Sequence, residues 1–381
     1  MTDIVHGTAD ARFDDVRALL ADALRSGQEL GASLTVDVAG RTVADLWGGY
    51  ADAQRTRRWT PETIVNVWSS TKTVTNLAAL MLVDRGLLDP FEPVATYWPE
   101  FAANGKADIQ VRHIMSHTSG VSGWEKPFVV KDMYDWEGAT RRLASQQPWW
   151  EPGTASGYHA SNLGHLVGEV VRRVSGKTLK EFVRTEIAEP LGADFQIGVL
   201  PRDDHRAAEI VPPSSRAVDF DALPPDTVMT KTFTGPVSDP TAANTIEWRR
   251  ADIGAGNGHG NAKSLARILS VLSLGGTVDG VKLLSPSTID LIFQEQANGV
   301  DLVLGVPLRW GIGYGLPQPA TVPSIPDRDR ICFWGGWGGS MIVMDLDREL
   351  TISYVMNKMA EGIIGSELSN TYITAIYRSL A

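Results

Sequence analysis

Ser69 and Lys72 are three residues apart in NVWSSTKTVTNLAALMLVDRG, which spans residues 66–86. On a helix this spacing puts both side chains on one face, one turn apart. A serine hydroxyl needs a base to become a strong nucleophile, and a lysine shielded from water is biased toward the neutral amine that can serve as that base. Backbone N–H groups at a helix start can also face a developing oxyanion. The pattern therefore predicts nucleophilic catalysis by Ser69, assisted by Lys72.

The same residues also have a purely structural interpretation, in which Ser69 caps a helix and Lys72 is a solvated lysine in its first turn. Two features favour catalysis. The chain contains no second Ser-x-x-Lys, since Ser70 has Thr73 three residues later. The following helix, which is predicted to end at Gly86, is too apolar for a loose surface element. Its apolar face comprises Val74, Leu77, Ala78, Met81 and Leu82.

The sequence lacks the motifs of several other enzyme classes. It contains no G-x-S-x-G of α/β-hydrolases and no H-E-x-x-H of zinc peptidases. His113 and His117 are four residues apart, but without a third ligand they are interpreted as structural. The glycine-rich stretch at residues 254–261 lacks the lysine and Ser/Thr of a phosphate loop. We therefore expect no metal ion and no organic cofactor.

Composition limits the partners and the compartment of the protein. The chain has 381 residues and a formal net charge of -10, which disfavours nucleic acid or an anionic membrane surface as a partner. Cys332 is the only cysteine, so no internal disulfide can form. The first thirty residues do not resemble a signal peptide, and no run of eighteen apolar residues occurs. A cytoplasmic protein with a small-molecule partner is expected, and its oligomeric state is left open.

The two ends of the chain predict one antiparallel sheet covered by helices. Residues 13–27 have apolar positions at helical spacing, and residues 31–52 contain two β-rich runs around a turn. Residues 338–358 mirror that hairpin, and residues 366–380 form a predicted terminal helix. We expect the two hairpins to belong to one sheet and the terminal helices to cover its face.

The middle of the chain is predicted to be a mostly helical insertion. Residues 162–192 read as two helices joined at SGKT, whereas residues 199–253 are irregular. The predicted domains are an α/β sheet domain, residues 1–67 plus 254–381, and a helical domain, residues 68–253, with the active site in the cleft between them. The fold class is α/β of the α+β type. Whether residues 199–253 form a lid is left open.

Four stretches of the sequence carry a family resemblance. SSTK at the start of an apolar helix is followed by MSHTSGV (115–121), PGTASGYHASNLGHLVGEV (152–170) and WGGWGGS (334–340). In order and spacing they resemble the serine β-lactamase-like hydrolases, and above all the family VIII carboxylesterases, which are similar to class C β-lactamases and penicillin-binding proteins. SYVMNKM (353–359) resembles the esterase branch. The resemblance runs from about residue 30 to the end and implies a β-lactamase/transpeptidase-like fold.

This resemblance implies roles for three side chains. Ser69 matches the serine that becomes acylated, Lys72 its helical neighbour, and Tyr158 the family tyrosine. A phenol ionises near pH 10, so it needs neighbouring cations or donors to accept a proton. Whether Lys72 or Tyr158 takes the proton from Ser69 is left open, because the two are expected to titrate as a coupled pair. The alternative for Tyr158 is a core tyrosine with a satisfied hydroxyl.

WGGWGGS matches the Lys-Thr-Gly strand of β-lactamases, with Trp334 in the place of the lysine. The resemblance implies that this stretch begins an inner strand beside the cleft. It also implies that the backbone N–H groups of Ser69 and Trp337 form the oxyanion hole. Glycines let a substrate carbonyl approach the backbone closely, and tryptophans near the motifs could line an apolar pocket, with core packing as their alternative. The predicted substrate-binding residues are Trp334, Gly335, Gly336 and Trp150.

Two departures from the β-lactamase pattern favour an ester substrate. Trp334 replaces the lysine that would bind a β-lactam carboxylate, and Ala160 replaces the asparagine of Tyr-x-Asn. An uncharged ester needs neither polar group. We therefore predict a serine carboxylic ester hydrolase that forms an acyl-enzyme with small, short-acyl esters. The alternatives are a β-lactamase or D-amino-acid peptidase or amidase on the same scaffold, and a non-catalytic penicillin-binding-like protein.

Overall fold

The computed structural model describes residues 4–214, 223–237 and 239–380. Within these ranges the chain forms fourteen strands and thirteen α-helices, with short 3-10 turns between them. The strands are β1 Val5–Ala9, β2 Gly31–Val38, β3 Arg41–Gly49, β4 Val65–Asn66, β5 Phe195–Ile197, β6 Gly258–Gly260, β7 Thr277–Val278, β8 Val281–Lys282, β9 Ala297–Val300, β10 Pro307–Trp310, β11 Gly315–Leu316, β12 Ile331–Gly335, β13 Met341–Asp345 and β14 Leu350–Met356. The helices are α1 Asp14–Ser26, α2 Thr71–Asp84, α3 Val94–Tyr97, α4 Val111–Met115, α5 Trp136–Ser145, α6 Leu163–Ser175, α7 Leu179–Phe182, α8 Glu189–Leu191, α9 Val228–Thr234, α10 Ile246–Arg250, α11 Ala262–Ser273, α12 Pro286–Leu291 and α13 Glu367–Ser379.

A nine-stranded sheet is built from both ends of the chain, in the order β1-β3-β2-β14-β13-β12-β11-β10-β9. The two predicted hairpins, β2–β3 and β13–β14, meet where β2 pairs antiparallel with β14, with Val36 opposite Ile352. These central strands are buried along nearly their whole length, as expected where a layer covers each face. The predicted fold class is confirmed. Strands β1 and β9 to β11 add to the sheet without a clear signal in the sequence.

Helices cover both faces of the large sheet. β14 shows the division, because alternate residues of a strand point to opposite sides. The ring of Tyr354 lies 5.1 Å from that of Tyr372 on α13, measured between centroids, and α13 contacts α1. On the other face, the hydroxyl of Thr351 lies 2.8 Å from that of Ser273 on α11. The terminal helices therefore cover one face, as predicted, and α11 covers the other.

Helix α2 is the central helix of the remaining part of the molecule, and every residue from Thr71 to Leu82 is buried. It packs against α6, the first of the two helices predicted around SGKT. Gly176 ends α6 in the left-handed conformation that glycine tolerates. After α7 the chain passes through a wider helical turn, Val183–Ala188, into α8. No helix in the described ranges has the length and apolar character to cross a membrane.

The division into two domains stays a prediction, and the strands follow it only in part. All strands of the large sheet come from residues 5–49 and 297–356. A small sheet in the order β4-β6-β5 joins segments of both predicted domains. The segment 199–253 contains α9 and α10 as well as short turns. Its residues 215–222 and 238 lie outside the described residues, so its role as a lid is not assigned.

Glu29, between α1 and β2, is a buried carboxyl group with 1% of its surface exposed. Burial raises the pKa of Glu29 to about 8, although a hydrogen bond from Tyr354 and the charge of Lys358 oppose the shift. In the unfolded chain the group has its ordinary pKa of 4.5. Between these pKa values the folded protein keeps a proton that the unfolded chain has lost. The free energy of unfolding therefore falls as the pH rises through this range.

We expect Glu29→Gln, which keeps the side-chain shape and an acceptor for Tyr354, to raise the Tm by an amount that grows with pH and levels off near pH 8. One pKa unit corresponds to about 1.4 kcal/mol, so the gain in the free energy of unfolding is at most roughly 5 kcal/mol. Thermal unfolding followed by circular dichroism measures it. Glu62→Gln, at an exposed glutamate, is the control, and a similar pH trend in both variants would contradict the burial argument.

Candidate active site

Ser69 lies in a one-turn 3-10 helix, Trp68–Ser70, immediately before α2. The turn is closed by a hydrogen bond from the N–H of Ser70 to the carbonyl oxygen of Val67 at 3.2 Å. Trp68 has a φ of 49°, which a non-glycine residue adopts only under strain. Ser70, and not Ser69, occupies the cap position of α2, and its side chain makes no capping bond. The half-buried Ser69 side chain is thus free of a capping role.

Lys72 is buried in the first turn of α2, with 2% of its surface exposed. Its Nζ lies 2.8 Å from Ser69 Oγ and donates hydrogen bonds to the carbonyl oxygens of Ala160 at 2.7 Å and Ala255 at 2.8 Å. The interpretation of Lys72 as a solvated lysine is therefore wrong. Burial holds the pKa of Lys72 well below the ordinary value of 10.5.

Tyr158 reaches the same hydroxyl from the loop that precedes α6, and only 1% of it is exposed. The side chain of Ser69 is near enough to interact with the Tyr158 phenol and to lower its pKa. The indole N–H of Trp334 donates to the Tyr158 oxygen at 3.0 Å. Burial raises the pKa of Tyr158 above its usual value, and the Ser69 and Trp334 hydrogen bonds offset this only in part.

Buried polar groups hold the Tyr158 loop in place. The backbone N–H of Tyr158 donates to Asp301 Oδ1 at 3.0 Å, and that of His159 donates to His117 Nδ1 at 3.0 Å. His159 Nδ1 donates to the Gly157 carbonyl at 2.7 Å, which leaves Nε2 to accept from Ser119 Oγ at 2.6 Å. The family-like stretches MSHTSGV and PGTASGYHASNLGHLVGEV contain His117, Ser119 and His159, but no pattern in the sequence assigns them to the site. Asp301 has no signal in the sequence.

The alanine that departs from Tyr-x-Asn contributes through its backbone. The carbonyl oxygen of Ala160 accepts a hydrogen bond from Lys72. The amide of Asn162 donates instead to the Val121 carbonyl at 2.8 Å, and Asn162 is fully buried. A main-chain oxygen thus accepts the hydrogen bond from Lys72, and Asn162 does not replace the asparagine side chain of Tyr-x-Asn.

The WGGWGGS stretch ends a strand instead of beginning one. Trp334 and Gly335 are the last two residues of β12, which starts at Ile331, and the remaining residues turn into β13. This corrects the expectation that the motif opens an inner strand. A Cβ on Gly336 would lie 2.3 Å from the Val67 carbonyl oxygen. Only glycine therefore lets this turn approach the one that carries Ser69.

The predicted substrate-binding residues lie around this turn, except for Trp150. Trp334 is buried, and its N–H is bonded to Tyr158. Trp150 is half-buried and donates from its indole to the Ala155 carbonyl at 3.0 Å. Its ring lies 2.6 Å from where a Cβ on Gly157 would be, so it packs against the Tyr158 loop. A role of these residues in binding substrate stays a prediction.

Together these contacts place the hydroxyl of Ser69 beside a buried amine and a buried phenol. A neutral Lys72 can accept the proton of Ser69, and a protonated Tyr158 can donate one to a leaving group. The arrangement can therefore perform acyl transfer through a covalent serine intermediate.

Comparisons with known proteins agree with this chemistry. Residues 16–363 match the protein family described as Beta-lactamase. The chain is 32% identical to the esterase/beta-lactamase LipL of Mycobacterium tuberculosis, over 94% of this chain and 84% of that protein. It is 28% identical to the esterase EstB of Burkholderia gladioli, over 93% of this chain and 92% of that protein.

Solved structures give the same picture along nearly the whole chain. One is a family VIII carboxylesterase, 36% identical, with a TM-score of 0.91 over 98% of this chain and 99% of that one. Another is a penicillin-binding protein homolog from Caulobacter crescentus, 35% identical, with a TM-score of 0.92 over the same shares.

We expect a fluorophosphonate probe to label Ser69, located by peptide mass spectrometry. Lys72→Met has a similar length but no amine, and it should slow labelling by about a hundredfold or more, as loss of a general base does. Lys106→Met is the matched control, because Lys106 is also a buried lysine that donates to carbonyl oxygens, those of Ala103 and Gln146. Equal slowing in both lysine variants would show that Lys72 has no special effect on Ser69.

Proposed function

This chain belongs to the beta-lactamase family, and from that premise we infer that it is a serine carboxylic ester hydrolase. It acts through an acyl-enzyme on small, uncharged esters with short acyl groups. The observation that carries the proposal is the buried amine of Lys72, 2.8 Å from the hydroxyl oxygen of Ser69, with the buried phenol of Tyr158 interacting with the same side chain.

Lys72 is assigned as the general base. A neutral lysine has two N–H groups and one lone pair, and the carbonyl oxygens of Ala160 and Ala255 accept both N–H groups. The lone pair is then left for the O–H of Ser69. The low pKa that burial imposes keeps this neutral form populated. Ser69 Oγ attacks the ester carbonyl carbon while its proton passes to Lys72 Nζ, and the oxyanion is held by the N–H groups of Ser69 and Trp337.

Tyr158 is assigned as the general acid. Its raised pKa means that it keeps its proton, so the phenol beside Ser69 is able to donate that proton during the reaction. When the tetrahedral intermediate collapses, the carbon–oxygen bond to the alcohol breaks and Tyr158 protonates the leaving alkoxide. The ammonium of Lys72, whose Nζ is 4.8 Å from the centre of the Tyr158 ring, returns a proton to the phenolate.

Hydrolysis of the acyl-enzyme regenerates Ser69. Lys72, neutral again, takes a proton from a water molecule whose oxygen attacks the acyl carbonyl carbon. When the bond to Ser69 Oγ breaks, Lys72 returns that proton to the serine oxygen and the carboxylic acid leaves. The same base therefore serves both half-reactions.

The proposed substrate class follows from Trp334, which stands where β-lactamases have the lysine of Lys-Thr-Gly. Trp334 presents an indole N–H at that position, and this group is already bonded to Tyr158. A substrate carboxylate would meet no cation there, whereas an uncharged ester needs none. The rings of Trp310 and Trp334, 4.4 Å apart, give this side of Tyr158 an apolar character.

We also propose a cytoplasmic location, on the basis of the acidic composition and the single cysteine. The partner is then a small-molecule ester in that compartment. Cell fractionation with an antibody against the chain tests this part of the proposal independently of activity.

We expect kcat/KM for p-nitrophenyl acetate to exceed that for nitrocefin by roughly a hundredfold or more, because the groups that a β-lactam carboxylate requires are missing. Absorbance assays with both substrates at one pH measure the ratio. The Ser69→Ala variant is the control for background hydrolysis. A ratio near or below one would favour the β-lactamase alternative.

We expect kcat/KM for the ester to rise with pH through a pKa well below 10.5, as Lys72 becomes neutral, and then to stay level into the alkaline range. The plateau extends past the ordinary pKa of tyrosine because the pKa of Tyr158 is raised. Tyr158→Phe should lower kcat by about 10²–10⁴. Lys72→Arg, which cannot become neutral, should be inactive throughout. A rate that instead climbs near pH 10 would make tyrosinate the base.

A further inference from the structure

We propose that Ser340 is a positioning residue that sets the separation of the two N–H groups of the oxyanion hole. The inference rests on the proposed function, in which the N–H groups of Ser69 and Trp337 bind the oxyanion. Neither group belongs to an α-helix or a strand, since Ser69 lies in the Trp68–Ser70 turn and Trp337 lies between β12 and β13. Catalytic donors have to be held within about 0.5 Å, so a contact between the two turns is needed.

The hydroxyl of Ser340 forms hydrogen bonds with one residue before Ser69 in the sequence and with one residue after it. Its O–H donates to the carbonyl oxygen of Val67 at 3.0 Å, and its oxygen lies 3.0 Å from Ser70 Oγ. Ser340 has one hydroxyl proton and gives it to Val67, so the Ser70 hydroxyl donates to Ser340. Val67 and Ser70 flank the pair Trp68 and Ser69. One side chain therefore fixes both ends of the turn that presents Ser69.

The main chain of Ser340 holds the second turn. Its carbonyl oxygen accepts a hydrogen bond at 2.8 Å from the N–H of Gly336, the residue directly before Trp337. Gly336 also fits closely against the Ser340 side chain, because a Cβ there would lie 2.4 Å from Ser340 Oγ. Ser340 thus bonds to the Ser69 turn through its hydroxyl and to the Trp337 turn through its carbonyl group.

The surroundings make the hydroxyl hard to replace. Ser340 is 1% exposed and Ser70 is fully buried. Deleting the Ser340 hydroxyl would therefore leave the Ser70 hydroxyl without its acceptor and would remove one hydrogen bond to the Val67 carbonyl, both in a buried site. Trp68, within the same turn, has the left-handed φ of 49°. Strained conformations of this kind persist only where neighbouring contacts enforce them. Loss of the Ser340 contacts would let the turn relax and move the N–H of Ser69.

The test is Ser340→Ala. We expect kcat for p-nitrophenyl acetate to fall about ten- to a hundredfold with little change in KM, less than the 10²–10³ that follows from removing a whole oxyanion donor. A trifluoromethyl ketone, to which Ser69 adds to form a tetrahedral oxyanion, should bind more weakly by a similar factor. Titration with a fluorophosphonate counts the competent sites, so the losses are expressed per folded molecule.

Ser353→Ala is the matched control. Ser353 is a fully buried serine of the same hairpin, and its hydroxyl has no hydrogen-bond partner within the described part of the chain. This variant should keep the wild-type kcat and ketone affinity. Ser70→Ala removes only the hydrogen bond between Ser70 and Ser340, so it should lower kcat less than Ser340→Ala does. The double variant should lose no more than Ser340→Ala alone, because the two hydroxyls act as one unit.

The outcomes separate this inference from the proposed function. If Ser340→Ala keeps kcat and ketone affinity within about twofold of the wild type, the positioning role is wrong and the proposed function stands. If kcat falls only as far as the fraction of titratable sites, Ser340 is merely structural and the inference is overturned. If the wild type neither hydrolyses the ester nor is acylated at Ser69, the proposed function fails and the inference fails with it.

Discussion

A buried amine without a counter-charge governs the arrangement around Ser69. Lys72 has 2% of its surface exposed, and within the described ranges no carboxylate forms a salt bridge with it. An ammonium in such a place loses its hydration without compensation, so the neutral amine is favoured. Two carbonyl oxygens then orient its remaining N–H groups. The fold therefore favours the neutral amine of Lys72 through the environment in which it places this side chain.

The same dry environment shifts the pKa values of Lys72 and Tyr158 in opposite directions. Burial lowers the pKa of Lys72 and raises that of Tyr158, because in each case it disfavours the charged form. The neutral form of each group is therefore favoured, and in these forms an amine can accept a proton and a phenol can donate one. Trp334 supports this division by donating to the Tyr158 oxygen without adding charge.

Much of the fold and of the site could be read from patterns of near neighbours. Ser69 and Lys72 are three residues apart where a 3-10 turn leads into α2, and the hairpins at both ends follow from alternating apolar residues and turns. Other parts had no such signal. Asp301 holds the Tyr158 loop from 143 residues away, and β9 to β11 are short strands recognisable only by their partners. The WGGWGGS motif ends a strand where the resemblance implies that one begins, because its glycines do not reveal on which side strand pairing stops.

The sequence by itself determined which serine has a lysine one helical turn away and which segments form the sheet of both termini, because these depend on contacts within one helical turn or one hairpin. Only the tertiary structure decided that Lys72 is buried and how the turn that carries Ser69 is joined to distant segments. Lys72 forms hydrogen bonds with Ala160 and Ala255, which are 88 and 183 residues away in the sequence. Ser70 and Ser340, which form another, are 270 residues apart. Burial and hydrogen bonds of this kind arise when distant segments pack together, so no local pattern of residues encodes them.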